Sequence, residues 1–381
     1  MSAAVLLGAR KEDAKRFELQ PVLGSVLPEV ARFLHSREAR REQRSPIERL
    51  VREDALSIER RLRWLLVENP LAEAGRHYGL CIREASGGIA GLLLSFPSAF
   101  LAGDQRLLGV GSGSFFVEPQ ARTLGFYLFK RYLNTPGYSV FFSTTCNADS
   151  GALWRRLGAC AVPNSESGYI LPLDLEVMLP AFLAGRTSSA VAAAIARVVG
   201  RRADRVLRVL GRRSSTAFAV DPCRDWEKLA ALFRRHRSAH WITTDRSAAF
   251  LEWRYGPSSP SQLVDIWVFR DPRGNEGWFS VGNTIRGRQG QIRGGVLLDA
   301  IWPRERMSFR DILPTIRQCV ASTADAIFFQ SRLGVDYGDC SRWIIPYRLG
   351  APQIFAMARK GDAPLAIASL DLVPADGDSA L

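Results

Sequence analysis

The sequence predicts an α+β protein made of two tandem copies of one domain, each a mixed, mostly antiparallel sheet flanked by helices, the second copy degenerate. Three observations carry this expectation. The first is order: a strand signal, then helical segments, a run of strands, and a strand–helix–strand–helix unit. The second is recurrence at nearly constant spacing. Arg61-Leu62-Arg63-Trp64 with Asn69-Pro70 answers to Phe250-Leu251-Glu252-Trp253-Arg254-Tyr255 with Pro260, and Phe115-Phe116-Val117-Glu118-Pro119 to Asp299-Ala300-Ile301-Trp302-Pro303. Arg156-Leu157-Gly158-Ala159 returns letter for letter at Arg348-Leu349-Gly350-Ala351. The third is size: 381 residues, 47% hydrophobic and 23% charged, suffice for two soluble cores. The expected division is residues 17–175, a basic helical linker at 176–213, residues 214–361 and a tail at 362–381.

Each element of the first copy has a local cause. Phe17 to Val22 alternates as a strand. Ser45-Pro46-Ile47-Glu48 is a capping box with proline at the first helical position, opening a helix towards Leu66 with Ile47, Leu50, Val51, Leu62 and Leu65 as apolar positions. Tyr78–Arg83 and Ile89–Phe96 read as strands joined at Gly87-Gly88. Gly109 to Val117 is small and apolar and stops before Pro119, so it reads as a further strand. A helix then opens at Arg122-Thr123-Leu124-Gly125, with Leu124, Leu128, Phe129 and Tyr132 at helical spacing. After the turn Asn134-Thr135-Pro136-Gly137 comes the strand Tyr138–Thr145. Asn147 caps a short helix ending at Gly158, and Gly168–Leu173 is expected to close the first domain near Leu175. The Gly-bearing turn at Arg122 precedes a helix start, whose unpaired N–H groups and dipole suit a phosphate.

The net charge of +13 is concentrated. Arg186 to Arg213 holds eight arginines against one acid, Asp204. Ile195, Val199, Ala203, Val206 and Leu210 form one helical stripe, and Arg197, Arg201, Arg205, Arg208 and Arg212 repeat it two residues on. That pattern fits a linker helix with a solvated arginine face. It also fits a helix on an anionic membrane surface, through 186–213, or one that meets nucleic acid or an acidic substrate. No apolar run is long enough to span a bilayer, and the N-terminal apolar patch precedes its charges, the reverse of a secretory signal. Six cysteines without a C-x-x-C pair suggest reduced thiols. The expected location is cytoplasmic, membrane-peripheral if the basic helix meets lipid. His236 and His240 are spaced to share a helix face but have no partner at metal spacing, so no metal is expected.

V-x-P-x-x-R-x-x-G at Val117, Pro119, Arg122 and Gly125, followed by helix, strand and the Asn147…Arg156-Leu157-Gly158 segment, resembles the core of the GNAT acyl-CoA transferases. The resemblance covers about fifty residues. It implies acetyl-CoA, or another acyl-CoA, as co-substrate, held by Phe116, Val117, Arg122, Thr123, Leu124, Gly125, Phe126 and Tyr127, with Asn147 beside them. It implies thioester polarisation by a backbone N–H near Val117. Two positions depart from the family. Tyr127 stands where a second small residue is usual, and Trp154 where a proton-donating tyrosine often stands. Glu118 is the one carboxylate of the stretch and the candidate base; a solvated strand end suits it too. Trp154, Arg246 and Arg254 are the candidate acceptor-binding residues, since the segment from Thr244 to Tyr255 also resembles one in two-domain GNAT proteins of bacterial polysaccharide loci. In the second copy Phe309 replaces the turn glycine, so one coenzyme site is expected. The implied function is N-acyl transfer, acetyl above all, to a small-molecule or sugar-linked amine, in polysaccharide or cell-envelope metabolism. Two alternatives stand beside it: a Fem-like transferase using aminoacyl-tRNA, and a catalytically inactive binding or scaffold protein.

Overall fold

The first strand, β1 (Phe17–Pro21), leads into α1 (Leu27–Glu38), which buries Leu27, Val30, Ala31 and Leu34. Glu29 in its first turn and Arg37 in its last both suit the helix dipole. In this computed structural model the described residues are 16–38, 54–73, 75–184, 194–202, 218–260, 264–287, 291–330, 335, 337–341, 343–349, 351–362, 366–373 and 376–377. The capping box at Ser45 falls outside them. Within them, α2 (Ala55–Leu66) is capped by Asp54, which accepts from the Ser57 N–H at 2.7 Å. Three antiparallel strands follow: β2 (Gly79–Glu84), β3 (Ile89–Ala102) and β4 (Gln105–Val117). The hairpin is longer than its apolar stretches predict, because β3 and β4 stay paired up to a tight turn at Gly103, whose φ of 57° favours glycine. Then come α3 (Arg122–Leu133), β5 (Val140–Ser143), α4 (Ala148–Arg156) and the short β6 (Cys160–Ala161).

The next strand, β7 (Ser167–Pro172), leaves this sheet, and α5 (Leu175–Ala184) and α6 (194–202) follow. The second half then repeats the first: β8 (Ala219–Pro222), α7 (Trp226–His236), β9 (Ile242–Thr244), α8 (Ala248–Tyr255), β10 (Val264–Arg270), β11 (Glu276–Arg286), β12 (Ile292–Ile301), α9 (Phe309–Val320), β13 (Ala326–Gln330), α10 (Tyr337–Cys340), β14 (Ile345–Arg348) and β15 (Phe355–Ala358). A last short strand, β16 (Leu370–Asp371), runs parallel to β9, which pairs with β3 of the first sheet. The first sheet has the order β1-β2-β3-β4-β5-β15-β6 and the second β8-β10-β11-β12-β13-β7-β14. Along these seven-strand paths each is antiparallel except at one place, β4 with β5 and β12 with β13. The two sheets thus match strand for strand, with one exchange: β7 lies in the second and β15 in the first. The strand expected to close the first sheet therefore pairs with β13 and β14 instead. Ile170 and Leu171 are both buried there. A strand covered on both faces carries no mark of the sheet it will join.

The copies meet through their matched tryptophans. The Trp64 and Trp253 rings stack at 4.7 Å, and each indole donates to the other's backbone carbonyl, at 2.9 and 3.0 Å. Such mutual bonding is what equivalent residues make across a local twofold axis. The Arg254 guanidinium lies over both rings and donates to Gly377 O at 2.7 Å. Trp64→Phe leaves a buried carbonyl without its donor and is expected to cost about 1–3 kcal/mol in denaturant unfolding. Adding Trp253→Phe should then cost less than the sum of the two, as coupled groups do; strict additivity would refute the reciprocal pair. Gly350, the match of Gly158, lies outside the described residues, as does most of the basic segment. Its described part, α6, sits down through Ala196 and Gly200, where a Cβ on Gly200 would come 2.4 Å from Leu175 O. His240 is not on a helix with His236, because α7 ends there and Arg237 caps it in extended conformation.

Candidate functional site

In the first sheet, β4 and β5 pair only from Gly109 to Gly111 against Val140 to Phe142. Past these rungs β4 runs on to Val117 without β5 on its ladder, and this unpaired edge forms the slot. Gly109 and Gly111 carry no side chain because a Cβ at either would come 2.4 Å from a Phe100 or Phe96 ring. Buried Tyr132 of α3 holds the last paired rungs: its hydroxyl donates to Val110 O at 2.6 Å, with Phe142 O 3.2 Å away. Desolvation pushes its pKa well up, so it stays a neutral donor. Past the clamp, Leu94 faces Gly113 and Leu92 faces Phe116, so Ser114 and Phe115 together oppose one residue. Ser114 takes a φ of 48°. This bulge turns backbone groups off the ladder beside the slot, three residues before Val117.

The helix at the slot is open to an anion. A 3-10 turn, Pro119–Ala121, runs into α3, whose first turn holds no acid and whose N-terminus no side chain caps. Arg122 and Thr123 are exposed there, and Gly125 lies close to β4, its missing Cβ 3.2 Å from Val117 Cγ2. Phe116 and Phe126 are 40% and 43% exposed, and half-buried Tyr127 stands edge-on to Phe126. Leu124 is buried in the core beneath. Asn147 is an exposed N-cap whose side chain accepts from Ser150 N at 2.9 Å.

The expected acid–base and acceptor residues lie elsewhere than that slot. The Glu118 carboxylate is ion-paired with Arg37 of α1. Trp154 is a core residue: it meets Phe129 edge-on at 4.9 Å and stacks on Phe355, so its ring has no face for a substrate. Arg254 is likewise committed, to the tryptophan pair. Arg246, 4% exposed, lines a cleft. It lies between Asp299 at 2.5 Å and Asp376 at 2.7 Å. Burial alone would lower its pKa; the two carboxylates outweigh this and raise it. Burial in turn raises the Asp376 carboxyl, against the pull of Arg246. Arg304, also in the cleft, lies between the Trp241 and Trp302 rings, at 4.1 and 4.4 Å.

The second copy keeps the slot and closes the helix. β12 and β13 pair only from Gly294 to Val296 against Ala326 to Phe328, and β12 bulges opposite Ser280/Val281. At the start of α9, however, Ser308 and Asp311 form a reciprocal capping box, with the Asp311 carboxylate accepting from Ser308 N at 2.8 Å. The helix start is filled from within and carries an acid that repels anions. Phe309 is buried against Trp302, Phe329 and Tyr337. The sequence signal for this cap, Ser-x-x-Asp, was there to find. Arg37, the Ser114 bulge and the partners of Arg246 had none, since each depends on chain distant in sequence. Among the described residues no group of three or more His, Cys, Asp or Glu side chains could hold a metal ion, and no helix is long and apolar enough to cross a membrane.

This two-domain architecture, with one parallel strand pair in each sheet, is that of the GNAT fold. Three solved structures share it. A GCN5-related N-acetyltransferase from Anabaena variabilis has TM-score 0.52 and 12% identity, over 90% of this chain and 72% of that one. A probable N-acyltransferase from Enterococcus faecalis has TM-score 0.52 and 9% identity, with the same coverage. The N-myristoyltransferase of Saccharomyces cerevisiae, solved with bound myristoyl-CoA, has TM-score 0.51 and 10% identity over 82% and 72%. No family model matches the chain, and no curated protein matches it by sequence. At such identities the likeness speaks for the fold.

Proposed function

We propose that the protein is an acyl-CoA-dependent N-acyltransferase that binds one coenzyme per chain, on the first copy. The observation that carries this is the contrast between two equivalent helix starts: α3 is uncapped and free of acid, and α9 is capped by Asp311. The pyrophosphate would sit on the first turn of α3 with Arg122 adding charge, and the thioester would enter the slot beside Ser114. In the reaction an ammonium first gives a proton to solvent, its nitrogen bonds to the acyl carbon, the carbon–sulfur bond breaks, and a second proton from that nitrogen goes to the sulfur, so that coenzyme A leaves as the thiol. With Glu118 paired to Arg37, that carboxylate serves better to hold α1 to the strand end than to take the proton.

A short acyl group is favoured, acetyl above all. What supports this is the packing of Phe96, Phe100 and Phe142, edge-to-face, against Gly109 and Gly111 where β4 and β5 pair. Calorimetry with acetyl-CoA, longer acyl-CoAs and free coenzyme A tests the reading. One site per chain is expected, with acetyl-CoA at least as tight as the long thioesters. No coenzyme binding would refute it.

The basic segment supports a location on an anionic membrane surface. Ile195, Val198 and Val199 of α6 are 59%, 57% and 52% exposed, next to exposed Arg197 and Arg202. Arg201 is tied to Glu176 at 2.6 Å, which fixes the helix to the body. Apolar side chains among arginines match an anionic lipid interface. Vesicles containing phosphatidylserine should co-sediment the protein at low salt and release it at high salt. Equal behaviour with neutral vesicles would remove this assignment.

A further inference from the structure

Away from the donor slot, buried charge gathers where α7, β9, the end of β12 and the C-terminal segment meet. Arg246 lines this cleft with two of its nitrogens on Asp299 and Asp376; its third, Nη1, is buried and has no hydrogen-bond partner. Thr243 Oγ1 and His236 Nε2, on residues lining the same cleft, are also without partners. Burial lowers the His236 pKa, which leaves a neutral imidazole able to accept. A buried donor left unpaired costs about 1–3 kcal/mol, so three polar atoms around one cleft are an unusual arrangement for packing alone. A ligand that bonds to them removes that cost. Asp299 and Asp371 also line the cleft, Asp299 paired with Arg246 and Asp371 with Arg304 at 3.5 Å, so anionic and cationic groups alternate around it.

The cleft's place in the fold gives it a purpose. Helices α3 and α4 pack on the face of the first sheet that carries Val110 and Phe141. The other face, with Phe100 and Phe142, is covered by α1, α2 and chain from the second half, including Ile242 of β9 and Leu370 and Leu372 of the tail. The tail then leads from the cleft to the slot: Asp376 contacts Arg246, and a Cβ on the next residue, Gly377, would come 2.1 Å from Thr144 Oγ1, just past β5. The tail thus joins the cleft, through Arg246, to the end of β5 that borders the slot.

We propose that this cleft receives the acceptor, a small polar molecule with an ammonium group beside a hydroxyl or carboxylate oxygen. The oxygen accepts from Arg246 Nη1, and the ammonium lies against Asp299 and Asp371. This assignment rests on the N-acyl-transfer reading for its purpose but not for its test. An amino sugar and an amino acid both offer the required pair of groups.

The full chain, without coenzyme A, is titrated with D-glucosamine, L-serine and D-glucose. Calorimetry is followed alongside tryptophan fluorescence, since Trp241 and Trp302 line the cleft. One of the two amines should saturate a single site, and glucose should not. Binding of glucosamine alone identifies a sugar acceptor, and binding of serine alone an amino-acid one. Arg246→Gln should weaken the amine by roughly tenfold or more, and the near-isosteric Thr243→Val by about threefold with an unchanged melting temperature. Should Arg246→Gln fail to fold, Thr243→Val carries the test. Absence of binding by both amines, equal binding of glucose, or wild-type affinity in the folded variants would overturn the assignment. Because coenzyme is absent, failure here leaves the coenzyme site standing, and failure of that site leaves this result standing.

Discussion

Gly125→Val lowers coenzyme A affinity by well over tenfold, more than about 1.4 kcal/mol, in the expected result of calorimetry. Two effects add. A branched side chain occupies the helix turn that phosphates must approach, and its Cβ, 3.2 Å from Val117 Cγ2, presses the helix start away from the slot. A thermal melt separates lost binding from lost folding. The natural control is in the second copy. Phe309→Ala serves poorly, because Phe309 is buried and its truncation would cost about 3–5 kcal/mol of stability. Exposed Asp311 serves better: Asp311→Asn weakens the cap of α9 and should leave coenzyme affinity unchanged. Tyr127→Ala should bind coenzyme as well as wild type or better, since it restores a small residue beside the phosphate turn. Loss of affinity in Asp311→Asn equal to that in Gly125→Val would place the coenzyme elsewhere.

Phe355→Ala costs about 3–5 kcal/mol, and the damage appears in the first sheet although the residue belongs to the second half of the sequence. Phe355 is fully buried, stacks on Trp154, and fills the space over Gly151, where a Cβ would be 3.0 Å from its ring. Arg155 lies over the same ring at 5.3 Å. Its strand is hydrogen-bonded on both sides, to β5 and to β6. Chemical denaturation measures the loss. Amide exchange locates it: protection should fall first at Val140–Ser143, the strand that borders the slot. A variant that loosened only the second sheet would contradict the observed pairing.

What the sequence made readable was local. The turn at Arg122, the apolar face of α3 and the capping role of Asn147 each depend on a few adjacent residues, and each is found where periodicity and caps place it. The recurrence of Trp64 at Trp253 pointed to duplication without revealing that the two rings touch. The burial of Trp154 was not legible, because its family position is informative about chemistry and silent about packing: Phe355, which encloses it, is distant in sequence. The same holds for Glu118, whose partner Arg37 sits on a helix packed from the other end of the domain. Arg246 was placed at a ligand surface and does line a cleft, yet the carboxylates and tail residues around it come from three other segments.

The exchange of β7 and β15 bears on how the chain is made and why both copies persist. As the protein leaves the ribosome, β5 and β6 emerge with the place between them empty, and the strand that fills it is synthesised only near the end. The first half must wait, with an open sheet edge, for the second. The second half for its part is complete only because it keeps a strand made earlier. Neither can be deleted, shuffled into another gene or replaced without leaving a gap in the survivor. The second copy, whose helix start is capped by Asp311, thus has a role apart from any ligand it holds: it is the template on which the first copy finishes folding.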